Sequence, residues 1–328
     1  MAREAATQTF DKAAQALNED WGSEFDGKQI ERWAIKFGTR LAAERDRDVA
    51  ASECGRRPTP PANAPALLLI GLDGARVQMR EADPQTGNRW REDKVATITS
   101  YVPGDGAEIE PRPLITTHVA TMASSEEFGR MARFEGESKG VNQASVVIGI
   151  GDCGNWIDPV IEREFPGIPR IADWAHAAEH LHACGRAVCG NNEVAAAALS
   201  EEWVELLWHG KVVEVIERLQ AQSQKLGPPR KSDGPQHRRR VARATLTYFQ
   251  NNGDHMNYPE YRRKGWPIGS GNTEAAAKQF NKRMKGSEQF WQPAGAEAIL
   301  CLRALWLSQD ERWLRYWSAR PAYMGRAA

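Results

Sequence analysis

Residues 66–74 read ALLLIGLDG. An apolar run this short, stopping at a carboxylate, is the pattern of a strand buried on both faces. The pattern returns at residues 144–152, ASVVIGIGD, which ends at Asp152. Between them, KVATITSYV (94–102) and PLITTHVATM (113–122) are rich in Val, Ile and Thr and predict two more strands. SSEEFGRMARF (124–134) predicts a helix with Ser124 as its N-cap, and WIDPVIEREF (156–165) a second helix. PRIADW (169–174) adds a short strand. Strands and helices mixed in this way predict an α/β unit with a mixed sheet.

The flanks read as helices. Residues 9–20 and 26–48 predict a helical hairpin, with Ile30, Trp33, Ala34 and Phe37 at helical spacing. A DNA-touching helix-turn-helix is the other reading of that pair. PTPPANAP (58–65) breaks the chain as a linker. From His176 to about Arg243 the pattern is helical, apart from the basic, Pro-rich LGPPRKSDGPQHRRR (226–240). A Gly-rich loop then enters a helix in GWPIGSGNTEAAAKQFNKRMK (265–285), and one last helix is predicted over 295–317.

The 328 residues are long enough for a large core. The 43 Lys and Arg balance 43 Asp and Glu, but not evenly along the chain. Lys225–Lys285 holds 14 cations against 4 anions, about +10, leaving about −10 elsewhere. Such a split fits either an anionic polymer as partner or a solvated helical face. Five irregularly spaced cysteines argue against a disulfide framework and for a reducing compartment. With no signal-like or membrane-spanning run, a soluble cytoplasmic protein is expected.

Asp73 and Asp152 each stand at a predicted strand end, where neighbouring strands can bring them together. Glu274 opens the helix behind GSG, with Asn272 or Thr273 as cap and the helix dipole favouring its charge. Three converging carboxylates are hard oxygen ligands suited to Mg²⁺ or Mn²⁺. Two such ions can clamp the attacking and leaving oxygens of a phosphodiester exchange. An acid at a strand end is also an ordinary turn residue, so spacing alone leaves this open. At 100° per residue, Lys278, Lys282 and Lys285 lie about 40°, 80° and 20° from Glu274 around that helix. This suits a site working on DNA phosphates, or an amphipathic helix with a basic outer face. GSG lacks the Lys-Ser/Thr pair of a nucleotide P-loop.

LIGLDGARV, VVIGIGDCGNWI, FPGIPRIADWAHAAEHL and PIGSGNTEAAAKQFNKRMK with AILCLRALWLS stand in this order over roughly residues 66–310. Together they resemble the catalytic blocks of bacterial insertion-sequence transposases of the ISKra type, relatives of the Mutator-like DDE enzymes. The resemblance implies a ribonuclease-H-like mixed sheet with flanking helices, and Asp73, Asp152 and Glu274 as acids holding two Mg²⁺ or Mn²⁺ ions. It also implies an all-helical insertion between the second and third acids. Residues 1–57 would then be an N-terminal helical region, 58–65 a linker and 66–185 the first part of the core. Residues 186–265 would be the insertion, and 266–328 the C-terminal helices of the core. DNA as partner, a homodimer or larger assembly on it, and a nucleoid-associated location follow as expectations. Arg238, Arg239 and Arg240 join Lys278, Lys282 and Lys285 as expected DNA contacts. Relatives carry an Asp or Cys, two residues and a His after the second acid, which here gives Asp173 and His176 supporting roles.

Departures from the family are Cys153, where Gly is usual, and KGSEQFW (285–291), where relatives tend to show Arg-Ser-Gly-Met-Arg-Trp. A longer N-terminal region with paired cysteines is also usual, so a shortened copy is expected, and an inactive DNA-binding derivative is the alternative function. A third reading comes from His176, Glu179 and His180, which spell the H-x-x-E-H of inverted zinc peptidases. Cys184 and Cys189 add potential zinc ligands, but His180 and Cys184 share one helix face while His182 and Cys189 share the opposite one. Convergence would need the helix to break at Gly185.

Overall fold

The computed structural model describes residues 1–106, 109–154, 156–286 and 289–319. Its centre is a five-stranded sheet of β1 (Leu67–Gln78), β2 (Trp90–Val102), β3 (Arg112–Thr121), β4 (Val146–Gly151) and β5 (Arg170–Ala172). The order is β3-β2-β1-β4-β5, and only β2 runs against the others. The mixed α/β architecture expected from the apolar runs is therefore present. Asp73, however, does not end its strand. Antiparallel pairing with β2 continues from Leu67↔Tyr101 to Gln78↔Trp90, and this long ladder carries β1 five residues past the acid.

Alternation along β1 sends neighbouring residues to opposite faces. Leu68, Ile70 and Leu72 pack with Ala96 and Ile98 against α4 (Ser125–Ser138) and α5 (Ile157–Glu164), through Phe128, Met131, Val160 and Ile161. Ser124 caps α4 as expected, in a capping box with Glu127. The opposite face is divided along its length. Leu67 and Leu69, with Ile148 and Ile150, meet α6 (Trp174–Cys189) and α7 (Glu193–Trp208). These continue into α8 (Val212–Leu226), α9 (Arg238–Asn252) and α10 (Tyr258–Arg263), so residues 186–265 are helical and contain no strand. Farther along, Val77, Val95 and Ala120 lie under α11 (Gly271–Met284) and α12 (Pro293–Leu307).

The N-terminal helices belong to this last layer. Those expected over 9–20 and 26–48 are α2 (Phe10–Trp21) and α3 (Gly27–Glu53), preceded by α1 (Ala2–Thr7), which the sequence reading did not foresee. Too short to be stable alone, α1 is held at its C-terminal carbonyls by two buried arginines: Arg283 donates to Ala5 O (2.8 Å) and Arg303 to Ala6 O. Helix α3 lies so close to α12 that a Cβ on Gly38 would come within 2.1 Å of the Ala298 carbonyl oxygen. The helix expected over 295–317 is two, α12 and α13 (Arg312–Ser318). Asp310 turns the chain between them, accepting from Arg312 and Lys139. Among the described residues no helix is long and apolar enough to cross a membrane.

His118 of β3 is buried against Phe280 of α11, and its Nδ1 has no described partner. Burial, and secondarily Arg312, push its pKa down from 6.5 to about 4. The fold thus holds it neutral while the unfolded chain takes up a proton between pH 6.5 and 4, so stability falls as pH drops through that window. At 1.36 kcal/mol per unit the loss is about 3 kcal/mol. Urea unfolding at pH 7 and pH 4.5 should show His118→Gln losing less stability on acidification than the parent. An equal loss would show that this ring is not an acid-sensitive element.

Candidate metal and nucleic-acid site

The parallel pairing of β1 with β4 runs to Gly71↔Ile150. Continuing that register by two residues sets Asp73, within β1, level with Asp152, the residue that follows β4. Asp73 accepts from the Gly74 amide (2.7 Å), and Asp152 from the Gly154 amide (2.8 Å).

Glu274 arrives from the other direction. Helix α11 crosses the sheet at Gly71, where a Cβ would stand 1.9 Å from Thr273 Oγ1 and 2.6 Å from Thr97 Oγ1. Only a glycine permits this approach, and the two threonine hydroxyls close it with a 2.7 Å hydrogen bond. The residue after Thr273 is Glu274, in the first turn of α11. The expectation that Asn272 or Thr273 caps this helix is not met. Ser270 is the N-cap, two to three residues earlier, and both side chains are committed to the sheet: Asn272 donates to Tyr101 Oη (3.1 Å) and Thr273 bonds Thr97.

Asp152 and Glu274 lie within electrostatic reach of Asp73, but the three acids do not bring ligand atoms within 4.8 Å of one another. Asp73 has its pKa raised to about 6, chiefly by burial, with the Gly74 amide lowering it. Asp152 and Glu274 raise it further and His176 lowers it. Glu274 pairs with Lys278 (3.1 Å) on its own helix, and its other oxygen lies 3.7 Å from His176 Nε2.

Asp173 is fully buried and uses both oxygens. One caps α6 by accepting from the His176 amide (2.8 Å), and the other accepts from the Ser270 amide. The backbone adds Trp174 N to Ile268 O (3.0 Å) and Asp173 N to Gly151 O (2.9 Å). Asp173 therefore ties the end of β4, the start of α6 and the loop before α11 into one unit. His176, Glu274 and Asp173 each offer an atom within 4.8 Å of the others, the one grouping of three metal-capable side chains among the described residues.

His180, of the zinc-peptidase motif, is outside that group. Its ring stacks on Tyr248 at 4.1 Å, and burial lowers its pKa. Cys184 is buried in the helical core, its thiol pushed up to about 11 by burial.

Cys153 stands at φ 61°, the left-handed region that favours glycine. This accounts for a small residue after Asp152. Cys153→Gly should be more stable than Cys153→Ala by about 1 kcal/mol, since both lose the thiol and only glycine relieves the backbone. Chemical denaturation of the pair measures this directly; equal stability would mean the backbone is unstrained.

The basic residues divide. Lys278 and Lys282 are exposed on α11, and Lys285 follows its last residue, also exposed. Arg238, Arg239 and Arg240 form the first turn of α9 in the helical region. Arg239 is committed there, gripping Asp233 with two bonds of 2.9 and 2.7 Å. Arg238 and Arg240 are exposed. Ser287 and Glu288 of the KGSEQFW stretch lie outside the described residues.

One residue was missed by the sequence reading. Asp93 of β2 is fully buried, and among the described residues neither carboxylate oxygen has a hydrogen-bond partner. Burial raises its pKa to about 6, against the pull of its own amide and of Lys285, with Asp73 adding to the rise. A charged REDK segment (91–94) entering a Val- and Thr-rich strand was the available signal.

No family model matches the chain, and no curated protein matches it. Among solved structures it is similar to the Drosophila P element transposase strand transfer complex, at 11% identity and a TM-score of 0.37. That match covers 95% of this chain and 93% of the other. So distant a likeness carries no weight for the fold or the function.

Proposed function

We propose that this chain is a DDE transposase of the ISKra type, cutting and joining DNA strands with divalent metal ions held by Asp73, Asp152 and Glu274. The observation that supports this reading is that Asp73 stands level with Asp152 across β1 and the end of β4, with Asp152 and Glu274 both acting electrostatically on Asp73. The sheet order, with β2 alone reversed, supports a ribonuclease-H-like core over 66–185 and 266–328 with 186–265 inserted. The donor set fits the metals: all three are hard oxygen ligands, and burial makes Asp73 costly to ionise without a cation beside it. Bound there, two Mg²⁺ or Mn²⁺ ions supply Lewis acidity toward a phosphodiester.

The rest of the work belongs to the chain. Asp173 fixes α6 and α11 relative to β4, so that Glu274 and His176 keep their places. His176, half-exposed beside Glu274, is placed to donate a hydrogen bond to a phosphate oxygen. Lys278, Lys282 and Lys285, with Arg238 and Arg240, are the proposed backbone contacts. Arg239 anchors their loop. The partners are DNA and a second copy of the chain, since two DNA ends must be joined, and the location is the nucleoid.

Binding of a duplex should weaken steeply with salt, and each phosphate contact removed should reduce the log–log slope by about 0.9. Replacing Lys278, Lys282 and Lys285 by Gln should lower it by 2 to 3. An unchanged slope would show that these lysines are only a solvated face.

A further inference from the structure

We propose that Asp93 is a fourth acid of the metal site, sharing a divalent cation with Asp73. The proposal rests on the reading that the three acids above hold such ions. Its own basis is an unmet need inside the fold. A fully buried carboxylate whose two oxygens meet, among the described residues, no donor from another residue is costly, and such a group calls for an ion or trapped water beside it.

The register says where that ion would lie. Asp73 stands opposite Val95 and Ala75 opposite Asp93. Cross-strand partners point to the same face, and so do residues two apart, so Asp93 shares the face of Asp73 as its diagonal neighbour. Val95 is fully buried and Thr97 clasps Thr273 on this same face, which places it beneath α11.

Helix α11 contributes another oxygen. Asn281 is seven residues from Glu274, about 20° away around the helix, at the edge of the buried face of α11. Its Oδ1 is also buried and without a described partner. Both Asp93 oxygens and the Asn281 amide oxygen are acceptors, and acceptors without donors are what a hard cation requires. The charged groups acting on Asp93 are Lys285, Asp73 and Glu92. Lys285 is exposed beyond the end of α11 and gives Asp93 no hydrogen bond. Glu92 is turned to the other face, where it accepts from Trp156 (3.1 Å).

The test is Mn²⁺ binding to the full chain, followed by calorimetric titration and by electron paramagnetic resonance. The parent is expected to bind two ions. Asp93→Asn should lose one ion or weaken it at least about tenfold. The metal-free Asp93→Asn protein should melt higher than the metal-free parent and gain less on adding Mn²⁺, because its buried charge is gone. Asn281→Ala, a milder change on a different element, should weaken the same ion. If both variants bind two ions with parental affinity, the orphaned oxygens hold only water and the proposal is overturned. Glu274→Gln separates the two ideas. Loss of an ion there, with none lost in Asp93→Asn, would overturn the role of Asp93 alone. A parent that binds no Mn²⁺ would overturn both.

Discussion

Glu274→Gln, Asp73→Asn and Asp152→Asn should each reduce metal-dependent DNA strand cleavage by about 10³-fold or more. The expected size comes from removing a ligand of an ion worth several kcal/mol to a phosphoryl transition state, at 1.36 kcal/mol per factor of ten. Each change is isosteric and removes charge without changing shape, so the variants should fold. Asp73→Asn and Glu274→Gln relieve repulsion among the acids and should melt no lower than the parent without metal. Nicking of supercoiled plasmid in Mg²⁺ or Mn²⁺, measured beside thermal unfolding, separates chemistry from folding. His176→Ala should lower cleavage about 10–100-fold, as loss of a group supporting the metal site does. His180→Ala should lose its stacking on Tyr248, and Glu179→Gln should be nearly silent, because Glu179 is exposed on α6 with an ion pair to His176 (3.7 Å). Stoichiometric zinc in the purified protein, with equal loss in the His176, Glu179 and His180 variants, would defeat this reading and favour a peptidase.

Gly71→Ala is the second large effect, and it acts through the fold. The added methyl would overlap two buried, β-branched side chains whose hydroxyls are bonded to each other, so neither can turn aside. Overpacking of this kind costs about 1–3 kcal/mol. The lost hydroxyl pairing adds about 1 kcal/mol more. Helix α11 must lift from β1, carrying Glu274 away from Asp73, and cleavage should fall with stability. Adding Thr273→Ala clears the nearer oxygen and leaves a methyl about 3.0 Å from the new one. The double variant should therefore regain part of the stability lost in Gly71→Ala, a non-additivity of about 1 kcal/mol. Strict additivity would mean that the contact at Gly71 does not position α11.

Much of the architecture was legible because it depends on neighbours close in sequence. Alternation and short apolar runs gave all five strands, and helical spacing with Ser124 gave α4 and its cap. The same local signals failed where pairing partners lay elsewhere. The length of β1 was set by β2, since in the Ala75–Gln78 segment only Val77 is buried and these four residues are too few for a strand signal of their own. The break before α13 was set by Asp310 meeting Lys139, 171 residues away. Helix α1 is held because Arg283 and Arg303 donate to its carbonyls.

The site divides in the same way. The sequence by itself determined which acids end or follow the buried runs, because a carboxylate after an apolar strand is a local pattern. It also determined that a Gly-rich loop delivers Glu274 at a helix start. Tertiary structure alone decided that Glu274 lies beside His176 and Asp173 and within electrostatic reach of Asp73, because the clasp of Thr97 on Thr273 spans 176 residues and Asp173 reaches Ser270 across 97. It decided too that Arg239 is spent on Asp233 and that Asp93 is buried without a partner. Periodicity reports only which side of an element a residue takes. What that side faces, and whether a donor waits there, depends on how distant segments pack.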